Sequence, residues 1–274
     1  MLRVFVGIFI VAAGLTAQAE NSLRVATFNI HWGNANLQDI GRAITESDAD
    51  IVCVQESSQA SERYLQHHFR DTYAHFVFKG HNGRYAEERF GFISKMPLSD
   101  IRYAPPVDGL FGTFFATVTH NTQAVKLVNV HLSPFVISRG STFQQAIQAV
   151  SSVEAVHRKE IAFIQSKIDP GDPTLVCGDF NSLSTFAAPT QLITLGLIDS
   201  FAAVTDEPET QPTWRWPVGN LRIQFRIDYI FHTNHFTTVR SKVIPSKGSD
   251  HSLVVSEITL NETKNGQQNK EPTQ

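Results

Sequence analysis

The sequence predicts an α/β chain folded as a sandwich of mixed β-sheets with helices on the outside. Three observations predict it. Short apolar runs rich in strand formers outnumber stretches with helical spacing. Those runs come in groups, not in the regular βαβα alternation of a simple doubly wound sheet. Finally, 42% hydrophobic and 18% charged residues over 274 positions, with 20 Phe, supply core enough for one large domain or two small ones and exclude a disordered, collagenous or coiled-coil chain.

The elements follow in order. Residues 1–19 (MLRVFVGIFIVAAGLTAQA) have the pattern of a secretory signal peptide: Arg3, an apolar run over residues 4–15, and the small-x-small site Ala17-Gln18-Ala19. The run is shorter than the roughly 20 residues a membrane span needs. The expectation is an exported, soluble protein, secreted or periplasmic, with one domain over residues 20–260. Residues 23–30 (LRVATFNI) read as a strand, and Leu37, Ile40, Ala43 and Ile44 recur at helical spacing. A buried strand over 51–55 and a helix over 64–69 come next. Strands over 73–78 and 90–94 are separated by the turn residues Gly80, Asn82 and Gly83. Strands over 114–118 and 125–132 pair across a hairpin loop at 120–123. Residues 142–168 are helical in pattern with room for a break, 174–177 form another buried strand, and 189–195 a short helix. Strands over 225–231, 236–243 and 252–260 close the domain. The segment Trp214-Arg215-Trp216-Pro217 reads as a loop, and the polar tail 261–274 as disordered.

Charge and cysteine count narrow the function. Twenty-three Lys+Arg against 26 Asp+Glu give a net charge of −3. This leaves no electrostatic footprint for broad, non-specific nucleic-acid binding, but does not exclude an enzyme that holds nucleic acid through a metal. Two Cys are too few for a disulfide scaffold or a zinc cluster. In an oxidising compartment Cys53 and Cys177 are open to pairing, although both stand in apolar runs where buried free thiols are common.

The apolar runs end alike, in carboxylates, amides or imidazoles. LRVATFNIHWG carries Asn29 and His31, IVCVQES carries Gln55 and Glu56, and LVNVHLSP carries Asn129 and His131. LVCGDFNS carries Asp179 and Asn181, FRIDYIF carries Asp228, and GSDHSLV carries Asp250 and His251. Taken singly, Glu56 is an ordinary solvated acid and Asp179-Phe180-Asn181 an ordinary turn. Asp228, between Ile227 and Tyr229 in an apolar run, needs a partner. Buried strands hold their terminal side chains rigidly, so several such ends at one sheet edge make a polar pocket of fixed geometry. Carboxylates and amide oxygens are hard ligands that suit Mg²⁺, Mn²⁺ or Ca²⁺.

With these segments the chain resembles the endonuclease/exonuclease/phosphatase superfamily, the deoxyribonuclease I-like fold. The matching motifs, TFNIHWG, IVCVQES, LVNVHLSP, LVCGDFNS, FRIDYIF and GSDHSLV, run from residue 27 to about 255. The resemblance implies a four-layer sandwich, two packed mixed sheets flanked by helices, with the site at one edge. It implies Mg²⁺, with Mn²⁺ or Ca²⁺ as alternatives, and metal-side residues Asn29, Glu56 and Asp250. It implies that Asp179 positions or activates the attacking water, that Asn181 donates to the phosphate, that Asp228 holds His251, and that His131 faces the phosphate from the other side. The segment 82–100 is similar to the deoxyribonuclease I stretch in which Glu-Arg-aromatic opens a strand. There Glu88 would pair with His131 and Arg89 would lie near the phosphates.

The chain departs from that enzyme in three ways. The Arg-x-Pro stretch before the hairpin is replaced by Phe111-Gly112-Thr113-Phe114-Phe115, without an Arg. The loop disulfide near GDFN is missing, and nothing resembles the extra domain of intracellular inositol-phosphate phosphatases. Three function classes follow. The first is a secreted, monomeric, metal-dependent endonuclease with a nucleic-acid substrate, DNA foremost, and no stable protein partner. The second is a membrane-lipid enzyme, a sphingomyelinase-type phosphodiesterase or a phosphoinositide phosphatase, in which Trp214 and Trp216 would touch the lipid surface; the alternative for these tryptophans is packing under their own loop. The third is a catalytically silent binding module.

Overall fold

β1 (Ser22–Asn29) splits its buried residues between two cores. Leu23 and Val25 pack on one face, Ala26 and Phe28 on the other. A strand apolar on both faces must lie between two covering layers. β2 (Ile51–Ser57), β7 (Gln123–His131) and β8 (Thr174–Asp179) show the same double burial. The computed structural model describes residues 22–33, 36–80, 89–135, 143–218 and 221–261, and it meets that demand with two stacked sheets and helices outside.

The first sheet has the order β13-β14-β1-β2-β4-β3, with β3 His75–Lys79, β4 Arg89–Ser94, β13 Phe236–Ile244 and β14 Leu253–Leu260. The second has the order β5-β6-β7-β8-β12-β9, with β5 Leu98–Ala104, β6 Thr113–His120, β9 Ile198–Asp199 and β12 Asp228–His232. Each sheet holds one parallel pair, β1–β2 and β7–β8, among antiparallel neighbours. Cys53, Phe92, Phe114, Leu127, Cys177 and Ile230 fill the layer between the sheets. Each such buried side chain contributes about 1.5–3 kcal/mol over exposure.

α1 (Leu37–Ser47) and α2 (Gln59–His68) cover the first sheet, with Ile40, Ile44 and Leu65 against Phe28, Val52 and Val54. α3 (Phe143–Gln165) and α4 (Ala187–Thr194) cover the second, with Ile161, Ile164 and Leu192 against Val128, Val130 and Val176. Caps fix the first two helices. The Asn36 side chain accepts the Asp39 amide, and Ser58 forms a reciprocal box with Ser61. The β6–β7 hairpin turns on Asn121 and Thr122, both left-handed at φ 47° and 67°, the two-residue turn that matches strand twist.

Three sequence expectations are corrected. Residues 225–231 are not one strand: β11 (Leu221–Phe225) ends at Phe225 and β12 starts at Asp228. The break comes from side chains. The Ile227 and Asp228 amides both donate to Thr213 Oγ1, at 3.0 and 3.1 Å, and the buried Arg226 guanidinium is drawn to Asp199 and Glu209. TWRWPVG is not a loop: β10 (Trp214–Val218) pairs antiparallel with β11 in a separate two-stranded sheet. The helix over 142–168 has no break between Phe143 and Gln165. β5 carries no signal in the sequence, because Ser99, Asp100, Ile101 and Arg102 are all exposed and no apolar alternation marks it. No helix among the described residues is long and apolar enough to cross a membrane. Residues 1–19, expected to form a signal peptide, Glu88, and residues 262–274, expected to be disordered, lie outside the described residues.

Candidate active site

Two strand ends are built alike. Asn29 closes β1, and its Oδ1 accepts the His31 amide at 3.0 Å; Asp179 closes β8, and its Oδ1 accepts the Asn181 amide at 2.8 Å. In such a turn the side chain takes over the next backbone donor and ends the strand. Each turn drives its third residue into the left-handed region, His31 at φ 55° and Asn181 at φ 44°. Glu56 does the same at φ 54°, where β2 slips register against β4 between Val54 and Ser57. For a non-glycine residue this costs about 1–2 kcal/mol. Three such positions meet at this one place.

Strand register gathers the rest. Asp179 stands opposite His131 on parallel β7 and opposite Asp228 on antiparallel β12. Gly178 permits the first pairing, since a Cβ there would lie 1.9 Å from the Val130 carbonyl oxygen. The two sheets then meet through Asn29, whose Nδ2 donates to Glu56 Oε1 at 2.8 Å and to Asp179 Oδ2 at 3.0 Å. His131 Nε2 is 3.7 Å from Glu56 Oε1 and 3.6 Å from Asp179 Oδ2. His251 spans Asp228 and Asp179, with Nδ1 at 2.9 Å from the first and Nε2 at 3.6 Å from the second. His31 Nδ1 lies 3.6 Å from Glu56 and 3.8 Å from Asp250. Asp250 is fixed from its other side by the Trp214 indole, Nε1 to Oδ2 at 3.1 Å.

The electrostatics follow from burial against pairing. Burial opposes ionisation of Glu56, but its contacts with His31, His131 and Asn29 prevail and bring its carboxyl down to about 2. Burial would strip His251 of its proton. The charges of Asp228 and Asp179 reverse this and push the imidazole up to about 10. Asp179, wholly buried, is raised by burial first and by Asp228 next, against the pull of His251. His251 therefore stands as an imidazolium between two acids. His31 is also raised, chiefly by its hydrogen bond to Glu56.

The donor set fits a divalent cation. Glu56, His131 and Asp179 offer ligand atoms that all lie within 4.8 Å of one another, as do Asp179, Asp228 and His251. An amide N–H₂ with partial positive charge sits where two carboxylates converge, which is an environment that favours a cation.

Of the residues singled out from the sequence, Asn29, Glu56, His131, Asp179, Asp228, Asp250 and His251 come together here. Asn181 is adjacent, its Nδ2 bonded to the Leu132 carbonyl at 2.9 Å. Arg89 is held in an ion pair with Glu62 of α2. Gln55 and Asn129, which end strands in the same pattern, serve instead as a buried bridge between the sheets, Nε2 to Oδ1 at 2.7 Å. Two contacts had no signal in the sequence. One is Trp214 on Asp250. The other is Phe111, which lies flat on His131 with ring centroids 3.9 Å apart and planes 7° apart. Phe111 opens the very segment that lacks the expected arginine.

Fold and site together define a class: an α/β sandwich that gathers hard oxygen ligands and carboxylate–imidazole contacts at its strand ends. The chain belongs to the Endonuclease/Exonuclease/phosphatase family, whose sequence profile matches residues 26–251. Members of this family are phosphoric-ester hydrolases that depend on a divalent metal. No curated protein sequence matches the chain. Among solved structures, an endonuclease/exonuclease/phosphatase from Beutenbergia cavernae is similar with a TM-score of 0.69 at 21% identity, over 88% of this chain and 72% of that one. A family protein from Bacteroides thetaiotaomicron gives 0.67 at 16% identity, over 88% and 98%. D. rerio TDP2, solved with a single strand DNA product, gives 0.66 at 17% identity, over 87% and 99%. At these identities the likeness is one of fold.

Proposed function

We propose that this chain is an exported, Mg²⁺-dependent phosphodiesterase that acts as an endonuclease on DNA. The observation that carries the reading is the line Asp228–His251–Asp179, three buried groups in contact at the end of the β8–β12 ladder. Glu56, Asn29 and Asp250 would hold the metal, which supplies charge neutralisation at the phosphate. Asp228 orients the imidazole through Nδ1, which leaves Nε2–H directed at Asp179 and the space a phosphate oxygen would enter. Asp179 accepts the proton of the attacking water, and Asn181 offers its remaining amide proton to a phosphate oxygen. His131, braced by Phe111, faces the same space from β7.

The competing lipid reading loses the support it drew from Trp214, because that indole is spent on Asp250. The test incubates the mature chain, residues 20–274, with supercoiled plasmid and Mg²⁺, with and without EDTA, beside His251→Ala. Metal-dependent nicking that disappears in the variant is the expected result. A folded, metal-binding protein that leaves plasmid intact but releases phosphocholine or phosphate from liposomes would overturn the nuclease reading.

A further inference from the structure

One face of α3 carries Glu154, His157 and Glu160, spaced i, i+3 and i+6 and turned inward; His157 is fully buried. Their polar atoms meet the chain at two points that flank the site. Glu160 accepts the Ser133 hydroxyl on Oε1 at 3.0 Å and the Ser133 amide on Oε2 at 3.3 Å. His157 Nε2 donates to the Ser133 carbonyl at 2.7 Å, since a carbonyl only accepts. Glu154 Oε2 accepts the Ala187 amide at the start of α4, at 2.8 Å. Gly109 leaves the room for this, because a Cβ there would lie 1.7 Å from Glu160 Oε1.

Ser133 is thus held by α3 through its amide, carbonyl and hydroxyl. What it anchors reaches both catalytic flanks. Its neighbour Leu132 receives the Asn181 side chain on its carbonyl at 2.9 Å, and gives its amide to the Asp179 carbonyl at 2.9 Å. The Ser133 hydroxyl also accepts the Leu110 amide at 3.0 Å, which sets the next residue, Phe111, flat on His131. One further detail completes the line. His157 Nδ1 and Glu154 Oε1 lie 3.5 Å apart, both buried and both without a hydrogen-bond partner. With Nε2 committed as donor, a neutral His157 would aim a lone pair at a carboxylate. Burial holds the His157 imidazole below its ordinary value, against the pull of the Ser133 carbonyl and of Glu154.

We propose that Glu154, His157 and Glu160 form a positioning ladder that sets the places of Asn181 and His131 at the phosphate. None of the three touches reacting atoms, and the proposal rests on the reading of Asn181 and His131 as phosphate-site residues. The test uses the full chain with Mn²⁺ and bis(p-nitrophenyl) phosphate, a substrate that asks only for phosphodiester hydrolysis. His157→Leu is expected to lower kcat on the order of ten-fold with KM nearly unchanged, and His157→Gln, which keeps a donor, to restore most of it. Ile164→Ala, in the same helix and core but away from Ser133, is expected to leave kcat alone. On an Asn181→Ala background His157→Leu should cost less than it does in the wild type, because only the Phe111–His131 branch remains to be lost. A full additional loss on that background, or an equal loss in Ile164→Ala, overturns the proposal. The Asn181 side-chain amide resonance reads the same placement without turnover. It should move in His157→Leu and stay in Ile164→Ala, and an unmoved resonance overturns the ladder. Should His157→Leu not fold, Ser133→Ala must shift that resonance, and its failure to do so has the same force. A wild type that cuts no phosphodiester while the resonance behaves as expected keeps the ladder and sinks the phosphodiesterase reading.

Discussion

Asp228 is the direct register partner of Asp179 across the antiparallel β8–β12 pair, and His251 spans the two. Two carboxylates at neighbouring ladder positions repel one another when both are buried. The imidazolium between them relieves this, so the three groups form one electrostatic unit. Asp228→Asn keeps the shape and removes one charge. The expected outcome is a folded protein with kcat reduced on the order of 10²–10⁴-fold, by the loss of imidazole orientation and charge support. Single-turnover rates beside a far-ultraviolet melt check it. A loss below three-fold would mean that Asp228 is merely structural.

Trp214 ties the small β10–β11 sheet to the site. Its indole donates to Asp250, and its backbone bridges His251. Trp214→Phe preserves the ring and deletes the donor. Partners of metal-side carboxylates typically carry 10–100-fold in affinity. Calorimetric titration with Mn²⁺ should therefore show binding weakened about ten-fold, with no new partner for Asp250 in a structure of the variant. Unchanged affinity would remove Asp250 from the metal side.

The strand ends were legible because chemistry and geometry coincide there. An apolar run that stops at Asn29, Asp179 or Asp228 places that residue rigidly, and the run itself is readable. The same logic misplaced Gln55 and Asn129, which end runs too but turn to each other between the sheets. Asn129 shares the face of His131, two residues along β7, but lies one pleat further from the strand end, between the sheets, where Gln55 meets it. Trp214 was lost because Pro217 argues against a strand, yet a two-stranded edge tolerates it. Phe111 on His131, and the ladder of α3, depend on contacts between segments distant in sequence, which no local pattern encodes.

Cys53 and Cys177 belong to opposite sheets and are both buried and free in the central layer. Burial, with the neighbouring Cys177, pushes the Cys53 thiol well above its ordinary value. A thiol in that state is unreactive. A disulfide-forming reagent should therefore find no accessible thiol in native protein and both of the chain's two thiols after denaturation. No thiol in denatured, unreduced protein would show instead that the two had paired in the compartment from which it was isolated.

Glu160 gives the fold a readable pH dependence. Burial raises its carboxyl to about 7 from a reference of 4.5, with Asp108 adding to the rise and the Ser133 hydrogen bonds opposing it. Between those two values the folded state binds a proton that the unfolded state has released. Stability therefore falls as pH rises through this window: the contribution is complete below 4.5 and gone above about 7. The shift corresponds to something on the order of 3 kcal/mol. Glu160→Gln stays neutral throughout and still accepts through its carbonyl oxygen. Urea unfolding at pH 4.5 and at pH 8 should then show the variant gaining on the wild type at the higher pH, and losing that advantage at the lower. A difference between the two proteins that does not change with pH would mean that Glu160 is already ionised in the folded chain.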